Sequence, residues 1–245
     1  RYVPAYAANF EDWRAVAAAA GVSRGVLVQP SFLGTDNSRL CDELLQHADE
    51  LRGVAVIGAS SSPADIRRLD AAGVRGVRLN VAGVSHQVEA WSRAQWDTLI
   101  AHGWHVELHT DVGRLPEILS QLPADIPVVV DHMAKPSAPS SYDPTIACLR
   151  ARSRSSSVHV KLSGAYRLEG RDAGAVAWVL RDELGQDSLL WGSDWPCTNH
   201  EAEADYPRLL EALWEWVGEE AVASALGRNA MALYWRGEAR GDAPA

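Results

Sequence analysis

An aspartate near the carboxyl end of the chain stands where its type and surroundings could support chemistry. The apolar run from Ser188 to Trp191 is typical of a buried strand and stops at Gly192, so Asp194 follows the strand's carboxyl end. An ionised carboxylate there is poorly solvated, so it needs a cationic partner or takes part in proton transfer. An aspartate that caps the next helix is the alternative. This stretch alone favours neither role.

Polar or ionisable side chains also end the other apolar runs. These residues are Ser31, Arg78, Asn80, His109, Asp131, His132, Lys161, Ser163 and Asp194, with Lys135 and Arg167 shortly after two of the runs. Hydrophobic cores do not bury such groups without partners, so the set indicates a site. Arg78, Lys135 and Arg167 would suit a small dianion, because guanidinium groups bind carboxylates bidentately. For each cation, a salt bridge to a neighbouring acidic residue is the alternative.

Two histidines and one aspartate in this set could also bind a divalent metal ion. His109, His132 and Asp194 offer imidazole nitrogen and carboxylate oxygen, which suit zinc or manganese. Three such ligands and a water molecule would make a workable catalytic site. Arg78 opposes this interpretation, because a fixed positive charge in the same cavity repels a metal ion.

The elements that must position these residues form a repeated pattern. Seven apolar runs alternate with helical segments at a spacing of roughly 25 residues, which predicts parallel β-α units. We predict an α/β fold of the (β/α)8 TIM-barrel type, with the first strand absent from this chain. An open doubly wound sheet is the alternative, but no glycine-rich phosphate loop follows an early strand. We expect one domain over residues 1–236 and a disordered tail over residues 237–245.

Composition limits the class of partner. The chain of 245 residues has a formal net charge of -9, which disfavours nucleic acid or an anionic membrane surface as partner and favours a small molecule. It contains no apolar run long enough to span a bilayer. The three cysteines, Cys41, Cys148 and Cys197, are odd in number and widely spaced, which fits the reducing cytoplasm. The oligomeric state is left open.

Several segments together resemble a known family. They are Gly25–Ser31, Gly34–Asn37, Gly73–Asn80, Gly103–Leu108, Asp131–Pro136, Val160–Arg167 and Trp191–Pro196. In combination they are similar to the amidohydrolase-related TIM-barrel hydrolases, most of all the branch of 2-pyrone-4,6-dicarboxylate lactonase-like proteins. The resemblance extends from Tyr2 to about Tyr234.

The resemblance implies roles for individual residues. Asp194 would be the general base that activates water, and His132 would polarise the carbonyl or support the oxyanion. Ser31, Arg78 and Arg167 would bind the substrate carboxylates. Lys135 stands where the family usually has arginine, and it keeps the charge without the bidentate geometry.

Four departures from the family pattern affect these expectations. The chain starts just after the place of a His-x-His pair, so we expect the natural polypeptide to continue upstream of Arg1. A further arginine is missing beyond Arg78, where residues 80–84 are small or apolar apart from Asn80. Cys197 replaces a frequent histidine, and His109 stands where metal-dependent members keep a ligand.

The sequence therefore predicts a hydrolase that opens a small carboxylated lactone or related ring ester with water activated by Asp194. In this interpretation no cofactor is required. One alternative is a metal-dependent amidohydrolase or decarboxylase that uses His109, His132 and Asp194 on the same scaffold. Another is a catalytically inactive protein that binds carboxylates in the cationic pocket.

Overall fold

Seven parallel strands form a single sheet. The computed structural model of the chain describes residues 4–83 and 88–236. The strands are β1 (Gly25–Val28), β2 (Leu51–Ala55), β3 (Val74–Asn80), β4 (His105–His109), β5 (Val128–Val130), β6 (Val158–Leu162) and β7 (Leu189–Trp191). Their order in the sheet follows the chain from β1 to β7. Each strand runs parallel to the next.

Helices connect and cover the strands. They are α1 (Phe10–Ala19), α2 (Ser38–Gln46), α3 (Pro63–Ala71), α4 (Arg93–Ala101), α5 (Leu115–Leu119), α6 (Pro144–Arg152), α7 (Ala173–Leu184), α8 (Tyr206–Val217), α9 (Glu219–Ala223) and α10 (Asn229–Tyr234). Local sequence determines where several of these helices begin. The Ser62 side chain accepts a hydrogen bond from the Asp65 amide, and Ser92 does the same for Gln95. Both satisfy amides that the first helical turn leaves without partners.

Burial explains why apolar residues predominate in the strands. All five residues of β2 and all three of β5 are buried, because helices cover one face of the sheet and the curled interior covers the other. The large side chains of Trp104, Leu108 and Ile118 are fully buried in this core. The predicted fold of the (β/α)8 type, with seven strands visible, is confirmed.

The curled sheet has two edges. Within residues 4–83 and 88–236, β1 pairs only with β2 and β7 pairs only with β6. The single domain over residues 1–236 and the upstream continuation stay predictions, and the predicted tail at residues 237–245 lies outside the described residues. No helix within the described ranges has the length and apolar character needed to cross a membrane.

Candidate active site

The residues that follow the strands meet around one cavity. It has a volume of about 1310 Å³, and its lining includes Ser31, Arg78, His109, His132, Arg167 and Asp194. These side chains lie together because the carboxyl ends of parallel strands open on the same side of the sheet. The set of strand ends identified in the sequence is therefore brought to one place.

A left-handed turn after β5 carries two of the predicted site residues, His132 and Lys135. His132, Met133, Ala134 and Lys135 have φ angles of 50°, 54°, 60° and 43°. Such angles are uncommon for residues other than glycine, and runs of them persist only where surrounding contacts enforce them. His132 and Met133 are fully or nearly fully buried, so packing holds the turn.

Asp194 lies in the loop after β7 with one carboxylate oxygen fully engaged. Tyr166 Oη donates a hydrogen bond to Oδ2 at 2.8 Å, and Arg167 Nε donates to the same oxygen at 2.6 Å. The other oxygen, Oδ1, lies 4.0 Å from His132 Nε2. Burial alone would raise the pKa of Asp194, but His132, Arg167 and Tyr166 offset this and hold the pKa below its ordinary value. Asp194 is therefore ionised at neutral pH.

His132 is buried and neutral. Its Nδ1 lies 3.1 Å from the Ser163 hydroxyl oxygen. Burial lowers the pKa of His132 to about 4, although Asp194 and Asp131 act in the opposite direction. When Ser163 donates its proton to Nδ1, the imidazole carries its own proton on Nε2, on the side that faces Asp194. Nε2 is then a hydrogen-bond donor toward the cavity.

Gly164 allows the close approach of this histidine. Its φ is +55°, and a Cβ atom built on it would lie only 2.7 Å from His132 Nδ1. A side chain at position 164 would therefore displace the imidazole as well as strain the backbone.

His109 lies between two of the predicted substrate-binding cations. Its Nδ1 is 3.4 Å from Arg78 Nη2, and its Nε2 is 3.1 Å from Lys135 Nζ. Burial lowers the pKa of His109 well below its ordinary value, with a further contribution from His132. The ring is therefore neutral. Burial also lowers the pKa of Lys135, with a further contribution from Arg167.

Four charged side chains, Glu107 and Asp131 buried and Arg78 and Lys161 largely buried, lie next to the histidines. Lys161 Nζ is 2.6 Å from Glu107 Oε2 and 3.1 Å from Asp131 Oδ1. Arg78 Nη2 is 3.4 Å from Asp131 Oδ2. Burial would raise the pKa of Asp131, but Lys161 and Arg78 lower it by more, so the carboxylate is ionised. Burial alone would lower the pKa of Lys161, but Asp131 and Glu107 raise it above its ordinary value.

Asp131 groups with the two histidines as a potential metal ligand, where the metal-dependent alternative named Asp194. His109, Asp131 and His132 each offer a ligand atom within 4.8 Å of the others, whereas Asp194 is engaged by Tyr166 and Arg167. Arg78 and Lys135 face the two nitrogens of His109, and Arg78 and Lys161 face Asp131. A divalent cation would have to enter among three existing cations, so these donors do not fit a metal ion well.

Ser31 contributes a neutral polar contact to the cavity. Its hydroxyl oxygen lies 3.4 Å from Asn80 Nδ2, which links the loop after β1 to the end of β3. This position offers hydrogen bonding without charge.

Several residues that complete the site were given no individual role in the sequence interpretation, although Asp131, Lys161 and Ser163 belonged to its set of strand-end residues. They are Tyr166, Ser163, Gly164, Asp131, Lys161 and Glu107, and each contacts a predicted residue or its direct partner. Alternation along β4 could have indicated Glu107, since it shares a strand face with His109 two residues later. No comparable pattern marks Tyr166, because its place depends on the turn after β6.

Comparison with known proteins identifies the family. A sequence model described as amidohydrolase matches residues 1–236. The chain belongs to the amidohydrolase family. This confirms the resemblance found in the sequence and the prediction that the protein is a hydrolase.

Two relatives show which branch of the family this amidohydrolase is similar to. It is 30% identical over 239 residues to 2-pyrone-4,6-dicarboxylate hydrolase of Comamonas testosteroni, with 88% of the chain and 77% of the relative covered. It is also 30% identical over 199 residues to 4-sulfomuconolactone hydrolase of Rhizobium radiobacter, covering 76% of the chain and 65% of the relative.

A solved structure agrees in fold. A candidate 2-pyrone-4,6-dicarboxylic acid hydrolase of Pseudomonas putida superposes with a TM-score of 0.86 at 34% identity, covering 96% of this chain and 90% of the other. The named relatives therefore act on lactones, on the scaffold that this amidohydrolase shares.

Proposed function

We propose that this protein hydrolyses a small lactone or related ring ester that carries a carboxylate, using water activated by Asp194. The observation that carries the proposal is the 4.0 Å separation between Asp194 Oδ1 and His132 Nε2. This gap is too long for a direct hydrogen bond, but a water molecule or a substrate oxygen can contact both atoms. The named lactone hydrolases among the relatives support the same reaction class.

Asp194 acts as the general base. Water bound at Oδ1 gives a proton to the carboxylate as its oxygen forms a bond to the lactone carbonyl carbon. The ring C–O bond then breaks, and the protonated Asp194 returns the proton to the departing oxygen. Tyr166 and Arg167 hold Oδ2, so that Oδ1 keeps its orientation toward the water.

His132 stabilises the negative charge that develops on the carbonyl oxygen. Its Nε2–H donates a hydrogen bond from a buried, water-poor position, where such a bond is stronger than in water. The Ser163 contact at 3.1 Å fixes the ring orientation. General-base assistance alone supplies ~10²–10⁴-fold, so positioning and oxyanion stabilisation contribute the remainder.

Substrate binding falls to Arg78, Lys135, Arg167 and Ser31. Arg78 and Arg167 line the cavity and attract a ring carboxylate, Lys135 adds positive charge next to His109, and Ser31 offers a neutral hydrogen bond. We propose that the reaction requires no metal ion, because Arg78, Lys135 and Lys161 surround the potential metal ligands. A metal-dependent reaction through Zn or Mn at His109 and His132 is the alternative that these contacts disfavour.

The partner that we propose is a small carboxylated molecule in the cytoplasm. The net charge of -9 supports a small-molecule partner over nucleic acid or an anionic membrane. The three cysteines are free thiols in the structure, which is consistent with a reducing compartment.

A direct assay tests the proposal. Protein treated with a chelator is mixed with 2-pyrone-4,6-dicarboxylate, 2-pyrone monocarboxylates and simple lactones, and ring opening is followed by the loss of ring absorbance. We expect turnover of at least one carboxylated lactone without added metal. Turnover only after zinc or manganese is restored would support the metal-dependent alternative. Binding of carboxylates without any turnover would support the inactive binding protein.

A further inference from the structure

The role of Tyr166 in the proposed mechanism depends on the direction of its hydroxyl group. Tyr166 Oη donates a 2.8 Å hydrogen bond to Asp194 Oδ2. Hydrogen bonds weaken steeply when they are misaligned, and Oη lies at the far end of the side chain, so a small tilt of the ring displaces it. Asp194 lines the cavity, whereas Tyr166 is not among the described residues that do. The contacts that hold this ring therefore lie away from the substrate.

One such contact comes from His200, in the loop between β7 and α8. The ring centroids of His200 and Tyr166 are 4.7 Å apart, and the ring planes are inclined by 31°. This separation lies in the range of favourable aromatic pairs. The Arg167 guanidinium also lies near the Tyr166 ring, with its carbon 5.3 Å from the centroid. Because Arg167 is the next residue in the chain, His200 adds a contact from a separate segment.

The position of His200 is itself fixed by the loop. Its Nδ1 lies 2.9 Å from Glu203 Oε1, and its amide donates a hydrogen bond to the Cys197 carbonyl oxygen at 2.7 Å. The next residue, Glu201, accepts a 2.6 Å hydrogen bond from Tyr6 Oη, which ties the loop to the segment before α1. The imidazole is therefore held against Tyr166 by its own local contacts, although its side chain is 26% exposed.

We infer that His200 is a positioning residue for the reaction, because its ring holds the Tyr166 hydroxyl on Oδ2 of Asp194 and so keeps Oδ1 directed toward the water. This inference rests on the proposed function and adds a residue to it. His200 acts through Tyr166, which contacts both the imidazole and the carboxylate. The alternative is a role confined to the loop, in which the hydrogen bond to Glu203 stabilises the turn and nothing more.

Two substitutions separate the ring of His200 from its hydrogen bond. H200Q keeps a polar group that can reach Glu203 but has no ring, whereas H200F keeps a flat ring without the hydrogen bond. We expect H200Q to lower kcat by about threefold to tenfold with a smaller change in KM, and H200F to retain most of the wild-type kcat. Equal losses in the two variants, or a loss in H200F alone, would overturn the inference.

His102 provides a matched control. Its side chain is 25% exposed and its ring faces Trp104 at 6.3 Å, close to Asp70 on the helix α3. H102Q removes a partly exposed histidine ring of the same kind without a contact to Tyr166, so it should leave kcat unchanged. A loss in H102Q as large as that in H200Q would contradict a specific action through Tyr166. Thermal unfolding verifies that each variant folds.

The pH profile of kcat/KM distinguishes positioning from a structural role. The hydrogen bond from Tyr166 helps to lower the pKa of Asp194, so H200Q should move the acidic limb to higher pH. In the Y166F background the same substitution should cause no further displacement, because the hydroxyl is already gone. An unmoved limb in H200Q, or a displacement that persists in Y166F, would overturn the inference.

A measurement without turnover separates this inference from the proposed function. The NMR signal of Tyr166 Cζ, identified by its absence in Y166F, reports the hydrogen bond to Asp194 at neutral pH. We expect H200Q to move this signal further in the otherwise wild-type protein than in the D194N background, where the acceptor is uncharged and the bond weaker. Equal movement in both would reflect the lost ring alone and overturn the inference. The expected difference without ring opening of any lactone would remove the proposed function and leave the contact from His200 through Tyr166 to Asp194 supported.

Discussion

Lys161 Nζ lies 3.1 Å from Oδ1 of Asp131, the residue directly before His132. Lys161 therefore joins Glu107, on β4, to the turn that carries the proposed oxyanion donor. Glu107 binds the same lysine at 2.6 Å, and both acids are buried. Among the residues that the structure describes, Lys161 is the one that forms ion pairs with both acids, so the interior network should be sensitive to its loss.

Loss of the Lys161 charge should destabilise the protein strongly. K161M leaves Glu107 and Asp131 buried without this partner, and we expect about 3–5 kcal/mol of lost unfolding free energy. Urea unfolding at neutral pH measures it. R93M is the matched control, because Arg93 pairs with Asp97 and Asp125 at the exposed surface, and its loss should have a much smaller effect. Equal effects of the two changes would show that burial does not govern these pairs.

Replacement of Asp194 should separate catalysis from binding. D194N keeps the shape of the side chain but removes its ability to accept a proton, so kcat should fall by ~10²–10⁴-fold. The dissociation constant of a carboxylate ligand should change much less. Asp182 on the exposed side of α7 provides the control variant D182N, which should keep wild-type kcat. Unchanged turnover in D194N would remove Asp194 from the mechanism.

Tyr166 should act through Asp194. Y166F removes the 2.8 Å hydrogen bond to Oδ2, so we expect the pKa of Asp194 to rise and kcat to fall by about tenfold. A pH profile of kcat/KM measures the first effect as an acidic limb displaced to higher pH. Y142F alters a tyrosine that is 92% exposed and should have no effect on either quantity. A lower kcat with an unmoved acidic limb would argue against this positioning role.

Alanine substitutions at two glycines distinguish the effect of backbone strain from that of a clash with a neighbouring side chain. G164A places a methyl group against His132, so it should lower both stability and turnover. G170A has a similar left-handed backbone with nothing within 4 Å of the added carbon, so it should lower stability by about 1–2 kcal/mol and spare turnover. Thermal unfolding and initial rates give both quantities. Equal turnover in the two variants would contradict the role assigned to the His132 position.

Buried neutral histidines should make the fold sensitive to acid. Burial lowers the pKa of His132 and of His159 from 6.5 to about 4 in the folded protein. Between these two pKa values the unfolded chain binds more protons than the folded protein does. The stability that the protein gains from keeping these histidines neutral is therefore complete above pH 6.5 and is lost as pH falls toward 4. Urea unfolding at several pH values measures the slope. H159Q should remove part of it, and an identical slope would exclude His159 as a contributor.

The sequence predicted the fold well because the relevant signals are local and repeated. Apolar runs and helical segments alternate along the whole chain, and parallel strands necessarily collect their carboxyl ends on one side. For the same reason Arg78, His109, His132 and Asp194 could be expected to meet at one cavity. Their catalytic and binding roles stay predictions.

The pairing among these residues could not be read from the sequence. A carboxylate was expected to join the two histidines, but whether Asp131 or Asp194 does so depends on the left-handed turn after β5 and the loop after β7. Three cations were expected to face a ligand, whereas two of them, Arg78 and Arg167, face aspartates of the protein. Such choices depend on angles and distances that strand periodicity does not encode.

The left-handed turn carries His132 and Lys135 only three residues apart on the same short stretch of backbone. In the proposed mechanism, a ligand that draws the lysine toward it should also shift the imidazole, so that substrate binding and the alignment for attack are linked. Variants in this turn should alter KM and kcat together. An inhibitor that fills only the lysine side would act by misaligning the reacting groups as well as by occupying the cavity.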